Sequence, residues 1–273
     1  VKANWDNSVG LQMLDMNVPM DSVALRDIQL EIAQRILELE GDEPTPSRAG
    51  ALNNVATALS QLGKREEALA AAQEAVSIRR TLAATRPDVF NPDLARSLNN
   101  VANFLSELGQ REEALAAAQE AVSIRRTLAA TRPDVFNPDL ARSLNNVANF
   151  LSELGQREEA LAAAQEAVEL YKTLATTRPE VFQPDLARAL IVLALRHEEI
   201  GHIRNACQFA HEAVSTLQAS FMQRPLAYQR LMQSIMREYL RLYNAASIEM
   251  DTDLILPLIL IFQQLETKEQ THA

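Results

Sequence analysis

Imidazole and thiol groups are scarce in this sequence, and four of them cluster: His197, His202, Cys207 and His211. Neutral imidazole and thiolate are the groups a zinc ion takes in tetrahedral sets. Cys207 and His211 stand one helical turn apart and share a face, so these two could reach one ion. His197 falls on the apolar side of a helical pattern and His202 in the turn after it. Packing and surface roles are therefore expected, with a metal-dependent site in this stretch kept as an alternative. His197-Glu198 has no histidine at the fourth place, so the His-Glu-x-x-His arrangement is not met.

Other chemistries find no residues. There is no glycine-rich phosphate loop, no Gly-x-Ser-x-Gly elbow and no cysteine with a base and an orienting group. Glu66-Glu67 and their copies Glu112-Glu113 and Glu158-Glu159 are paired carboxylates, but each pair opens a helical pattern. There it complements the helix dipole. A non-enzymatic chain with no catalytic residue, no cofactor and no metal is the expectation.

The bulk composition narrows partners. Net charge is −10, which argues against a broad phosphate-binding surface, so no nucleic acid is expected. Cys207 is the single cysteine, so no internal disulfide can form and a reducing, cytoplasmic setting is the simpler assumption. The longest apolar run, Leu254 to Phe262, is broken by Pro257 and is far shorter than the roughly 20 residues that span a bilayer. A buried closing helix is expected there, and Met232, Met236 and Tyr239 likewise read as core. No signal-peptide pattern opens the chain, and it begins on Val1. That start motivates a second expectation: a sensor or regulatory segment of a larger signalling or defence protein with an ATPase or protease-like domain.

The elements that carry these residues follow from a repeat. Arg65 to Val122 recurs without change as Arg111 to Val168, a shift of 46 residues, and Pro46, Pro92, Pro138 and Pro184 keep that phase. Gly63, Gly109, Gly155 and Gly201 keep it too. Aromatic content is only 5% and no alternating segment suggests a sheet, so the chain reads as all-α. Within one unit Asn91-Pro92-Asp93 supplies an N-cap, a first-turn proline and an acidic first turn, which predicts that helix A starts there. Its stripe is Leu94, Leu98, Val101, Ala102 and Leu105, and Gly109 offers the left-handed end. Helix B follows with Ala114, Leu115, Ala118, Ala121, Val122 and Leu128, and stops at Thr131-Arg132-Pro133. So short a turn makes the pair antiparallel. Its alanine face buries little alone, so each unit needs its neighbour.

Leu98, Val101-Ala102, Leu105, Gly109, Ala114, Ala118 and Ala121 together resemble the tetratricopeptide repeat. The usual unit is about 34 residues, and this longer one is similar to the extended repeats of kinesin light chains. It is more similar still to bacterial and fungal arrays with Leu-Asn-Asn and Pro-Asp-Leu-Ala motifs. Arg111 and Ala118 stand where the family carries aromatics. The resemblance implies a right-handed superhelical solenoid of antiparallel helix pairs that binds proteins on its inner, helix-A surface.

The expected organisation is a partly ordered lead-in at 1–20, an N-terminal capping helix within 21–44, and units at 45–90, 91–136, 137–182 and 183–224. The last of these is degenerate. Two closing helices at 225–266 and a tail at 267–273 complete it. On helix A, Arg96, Asn99 and Asn103 share one face, and Arg142, Asn145 and Asn149 repeat the row. Unit one offers Gly50, Asn53 and Thr57, and unit four Arg188, Ile191 and Leu195. Asparagine amides can pair with the main chain of an extended peptide while arginines meet acidic groups. At helix spacings of about 8 to 10 Å, four rows would follow about 8 to 12 extended residues. A protein or extended peptide, with an acidic segment favoured, is the expected partner. Asn54, Asn100 and Asn146, beside the core stripe, are expected to set stacking register instead. The oligomeric state stays open.

Overall fold

The computed structural model describes residues 23–271, and the expected lead-in at 1–20 lies outside them. The described residues form helices and no strand. They are α1 (Val23–Glu40), α2 (Pro46–Gln61), α3 (Arg65–Thr85), α4 (Pro87–Glu107), α5 (Arg111–Thr131), α6 (Pro133–Glu153), α7 (Arg157–Thr177), α8 (Pro179–Glu199), α9 (Ile203–Gln223), α10 (Pro225–Ala246) and α11 (Thr252–Thr271).

The chain divides after Pro133 into two compact units. In the first, α1 to α5 pack each on the next, and α2 also touches α4. In the second, α7 packs on α8, α8 on α9 and α9 on α10. The A helices α8 and α10 also meet, and α11 lies against α9 and α10. This is the helix-pair packing of a tandem-repeat solenoid.

The glycine ends are as expected. Gly109 has φ +77°, its N–H donates to the Ser106 carbonyl, and Gln110 N–H donates to the Leu105 carbonyl. That is a Schellman end, and a side chain at this left-handed position would be strained. At the other junction Thr45 caps α2 as expected, its hydroxyl accepting from Arg48 N–H at 3.1 Å.

The start of helix A in the later units corrects the sequence analysis. Asn91 is not the cap: α4 begins a full turn earlier at Pro87, and Pro92 lies inside it. The same holds for Pro138 in α6 and Pro184 in α8. A proline this near an N-terminus forfeits one backbone bond. The extra turn is held by its aromatic residue instead. Phe90 and Phe182 are buried, with the guanidinium of Arg86 at 5.0 Å and that of Arg178 at 4.9 Å over their rings. Asp88-Val89-Phe90 is therefore helix.

The same device appears once more. Arg224 lies 5.5 Å over Tyr228 at the start of α10, so this closing helix begins as a fifth helix A. Tyr239, Met232 and Leu242 of α10 and Phe221 and Leu217 of α9 are fully buried. Large side chains thus finish a core that alanine begins: Ala68, Ala72, Ala75, Ala102, Ala114, Ala118 and Ala121 are all wholly buried. The apolar run on α11 is buried only on one side. Leu254, Ile255 and Leu258 face the core, whereas Leu256, Ile259 and Leu260 are exposed.

Phe90→Ala should cost about 3 kcal/mol and fray the first turn of α4. Urea unfolding followed by circular dichroism measures the loss, and a change below about 1 kcal/mol would mean that Pro87 alone fixes this start.

Candidate functional site

Helix A was expected to present its arginine and asparagine rows to a ligand. The structure divides them. Asn53, Asn99, Asn145 and Ile191 are buried, while Thr57, Arg96, Asn103, Arg142, Asn149 and Arg188 are exposed and Leu195 is half-buried. The surface row is therefore narrower than the spacing indicated, because the Asn53 position turns toward the next A helix.

Asn53 shows why. Its Nδ2 donates to the Ala49 carbonyl at 2.7 Å and to Ser97 Oγ on α4 at 3.0 Å. Arg79 of α3 enters the same point, donating through Nη1 to Ser97 Oγ at 2.6 Å and to the Asp93 carbonyl at 2.8 Å. Asn100 Nδ2 completes the set on Asn53 Oδ1 at 3.2 Å. Arg79 is only 4% exposed, and burial is the main force lowering its pKa, partly offset by Asp93. A buried cation held by neutral oxygens ties α2, α3 and α4 in one register. Asn100 thus has the stacking role expected of it, and Asn53 shares that role rather than facing solvent.

The exposed arginines are each already engaged. Arg96 meets Asp93 at 2.5 Å, Arg188 meets Asp185 at 2.6 Å, and Arg142 meets Asp139, each pair within one helix. Such exposed pairs contribute about 0 to 1 kcal/mol, so they orient the guanidinium without saturating its donors. Toward the other end of α8, Arg196 is buried. It donates to the Ala148 carbonyl and Asn149 Oδ1 of α6, both at 3.1 Å, and to Glu199 at 2.7 Å. Arg241 of α10 forks onto Glu198 with two bonds of 2.6 Å.

The four candidate metal ligands are dispersed. His197 is buried, stacked 5.1 Å from Phe209 and 5.9 Å from His202, with Nδ1 lacking a hydrogen-bond partner. Cys207 is buried, and its thiol pKa is raised by burial. Among the described residues no group of three or more His, Cys, Asp or Glu side chains is placed to hold a metal.

One constellation was not anticipated. His211 Nε2 lies 3.1 Å from Asp251 Oδ2, and Ser215 Oγ lies 3.4 Å from His211 Nδ1. The order serine, histidine, aspartate invites comparison with a nucleophilic triad. Ser215, however, sits in mid-helix with its hydroxyl donating to the His211 carbonyl at 3.0 Å, and the backbone N–H groups around it are committed to the helix. No oxyanion donors converge there. Asp251 works structurally: Oδ1 caps α11 by accepting Leu254 N–H at 3.1 Å, and its N–H donates to Tyr239 Oη at 3.2 Å. The bond from His211, then that from Leu254, holds its carboxyl below the usual range. Only the short loop before α11 hinted at this cap.

Similarity to known proteins follows the same lines as this geometry. Residues 47–127 and 93–173 match the family model described as tetratricopeptide repeat. Residues 173–237 match one described as anaphase-promoting complex subunit 5. No curated protein sequence matches the chain. Among solved structures, similarity is found to a single-substitution variant of nearly identical TPR-like repeats of kinesin-light-chain type from Podosopora anserina. That match has TM-score 0.62 and 18% identity over 78% of this chain and 93% of that one. A second structure of those repeats gives 0.59 and 19%, over 80% and 95%. BtubC (BKLC) from P. vanneervenii gives 0.57 and 16%, over 78% and 87%. The repeats form a tetratricopeptide-repeat array, a fold that generally serves as a protein-interaction scaffold.

Asn53→Ala should cost about 1 to 3 kcal/mol, since Ser97 and Asn100 lose a buried partner, whereas Asn103→Ala should change stability by less than about 0.5 kcal/mol. Urea titrations of the two variants make the comparison.

His197 gives a pH dependence. Burial, then His202, lowers its pKa from the ordinary 6.5, so below 6.5 the unfolded chain binds a proton that the folded chain resists. Stability is therefore full above that value and falls as pH drops toward the lowered folded value. His197→Phe should flatten that slope in urea midpoints measured between neutral and mildly acidic pH.

Proposed function

We propose that the array binds an extended segment of a partner protein along the exposed helix-A row. In the second unit that row comprises Arg142, Asn149, Arg188 and Leu195. The reading is carried by one observation: exposed guanidinium groups, oriented by their own-helix aspartates, share the helix-A row with an exposed amide and a half-buried leucine. A carboxylate can take the open donors of an arginine, the amide can pair with peptide main chain, and the leucine favours an apolar neighbour. An acidic segment with an apolar residue fits this sequence of groups. In the first unit Thr57, Arg96 and Asn103 offer the polar part of the same pattern. Among the described residues no helix is long and apolar enough to cross a membrane.

Fluorescence titration with a labelled hexapeptide of alternating glutamate and leucine tests this. Arg142→Glu with Arg188→Glu should weaken binding about tenfold at low salt, with helicity unchanged. Equal affinity of wild type and double variant would refute the row.

A further inference from the structure

Between the B helices of the first unit, α3 and α5, runs a groove of about 570 Å³ whose floor includes α4. Val76, Leu98 and Val101 form an apolar base, with Ala116 and Ala117 along one wall. Gln73 to Thr81 on α3 gives it a length of about 12 Å, enough for about four extended residues. The helix-A row lies apart from it, so this groove is independent of the surface proposed above.

The two ends of the groove differ in charge. At one end Arg80 and Glu120 pair across it at 2.5 Å, which neutralises that end. At the other, Glu113 stands with Gln73, a neutral amide. Its counterpart one repeat earlier, Glu67, lies 3.9 Å from Lys64. The residue corresponding to Lys64 is Gln110, so Glu113 is denied that cation. Among the described residues Glu113 thus has no lysine partner, and its carboxylate flanks an apolar floor on a protein of net charge −10.

We infer that this groove is a second docking surface, taking an extended segment of a partner protein that carries a lysine or arginine next to an apolar residue. The cation meets Glu113, its alkyl stem lies over Ala116 and Ala117, and the apolar neighbour covers Val76 and Val101. Long cationic side chains lie on apolar surface in this way while their heads stay with an anion.

The test uses the full chain and a labelled hexapeptide of alternating lysine and leucine. Glu113→Lys should weaken binding about tenfold. Glu112→Lys, which makes the same change in net charge one residue outside the groove, should weaken it less than about twofold. Gln110→Lys, which restores the pairing seen at Lys64 and Glu67, should also weaken binding while leaving every groove residue in place. Circular dichroism confirms helicity in each. Equal losses in the Glu112 and Glu113 variants, or no loss at Glu113, would overturn the inference. The helix-A row is judged separately by its acidic peptide.

Discussion

Alanine against alanine is the contact on which everything else in this fold depends. The fully buried alanines of α3, α5 and α7 let paired helices approach toward the short end of the usual spacing, about 8 Å. Each methyl removes little surface, about 0.8 kcal/mol of transfer free energy per buried methylene-sized group. A pair of helices built this way lacks a core of its own and is stable only with its neighbours packed on it. Smooth faces also slide. An alanine surface holds few knobs to fix one register against the next, and the Asn53, Ser97 and Arg79 cluster fills that need in the first unit. Asn53 and Asn100, poor helix formers, are tolerated in helix A because their tertiary hydrogen bonds outweigh a propensity cost of well under about 1 kcal/mol each.

Much of this was legible in the sequence, for reasons that differ by element. Helix B could be bounded because glycine and proline each act locally: Gly109 requires a left-handed end, and Pro133 stops what precedes it. Helix A could not, because two prolines compete. Both prolines are followed by an aspartate, but Pro92 has an asparagine before it, whereas Pro87 has no capping side chain and a buried aromatic whose worth depends on packing. Tertiary burial of Phe90 decided between them. Periodicity likewise identified a polar face on helix A but not which of Asn99 and Asn100 lies at its edge. Adjacent residues differ by about 100° around the helix, and the crossing with the next helix assigns that edge. The fifth helix-A start is present in Arg224-Pro225-Leu226-Ala227-Tyr228, which echoes Arg86-Pro87-Asp88-Val89-Phe90. The phase set by Pro46, Pro92, Pro138 and Pro184 misses it, since Arg230 stands where the next proline of that series would fall.

The candidate surfaces follow from how charge is distributed over this framework. Helix A neutralises its arginines within its own first turns, so that surface recognises by donors held in place rather than by net field. The B side leaves a carboxylate without its lysine partner where the repeat exchanges Lys64 for Gln110. Near-identical repeats therefore need not be equivalent in function, since one exchange at a turn changes the electrostatics of the groove beside it.

The buried polar cluster also changes along the chain, arginine and serine giving way first and the asparagine last. Arg79, Ser97 and Asn53 form it in the first unit. At the corresponding places in the second unit stand Tyr171, Ala189 and Asn145, and at the next step Leu217, Ile235 and Ile191. The last three are all buried in one apolar cluster. Removing only the arginine would strand a serine and an amide, and removing only the serine would strand a buried charge, each a costly intermediate. Replacing all three avoids both penalties, and apolar residues of similar volume are at least as stabilising in such a place. The polar version gives register to a smooth alanine stack. The apolar version sits where Phe221, Met232 and Tyr239 already fix register by shape, so the hydrogen bonds are no longer needed.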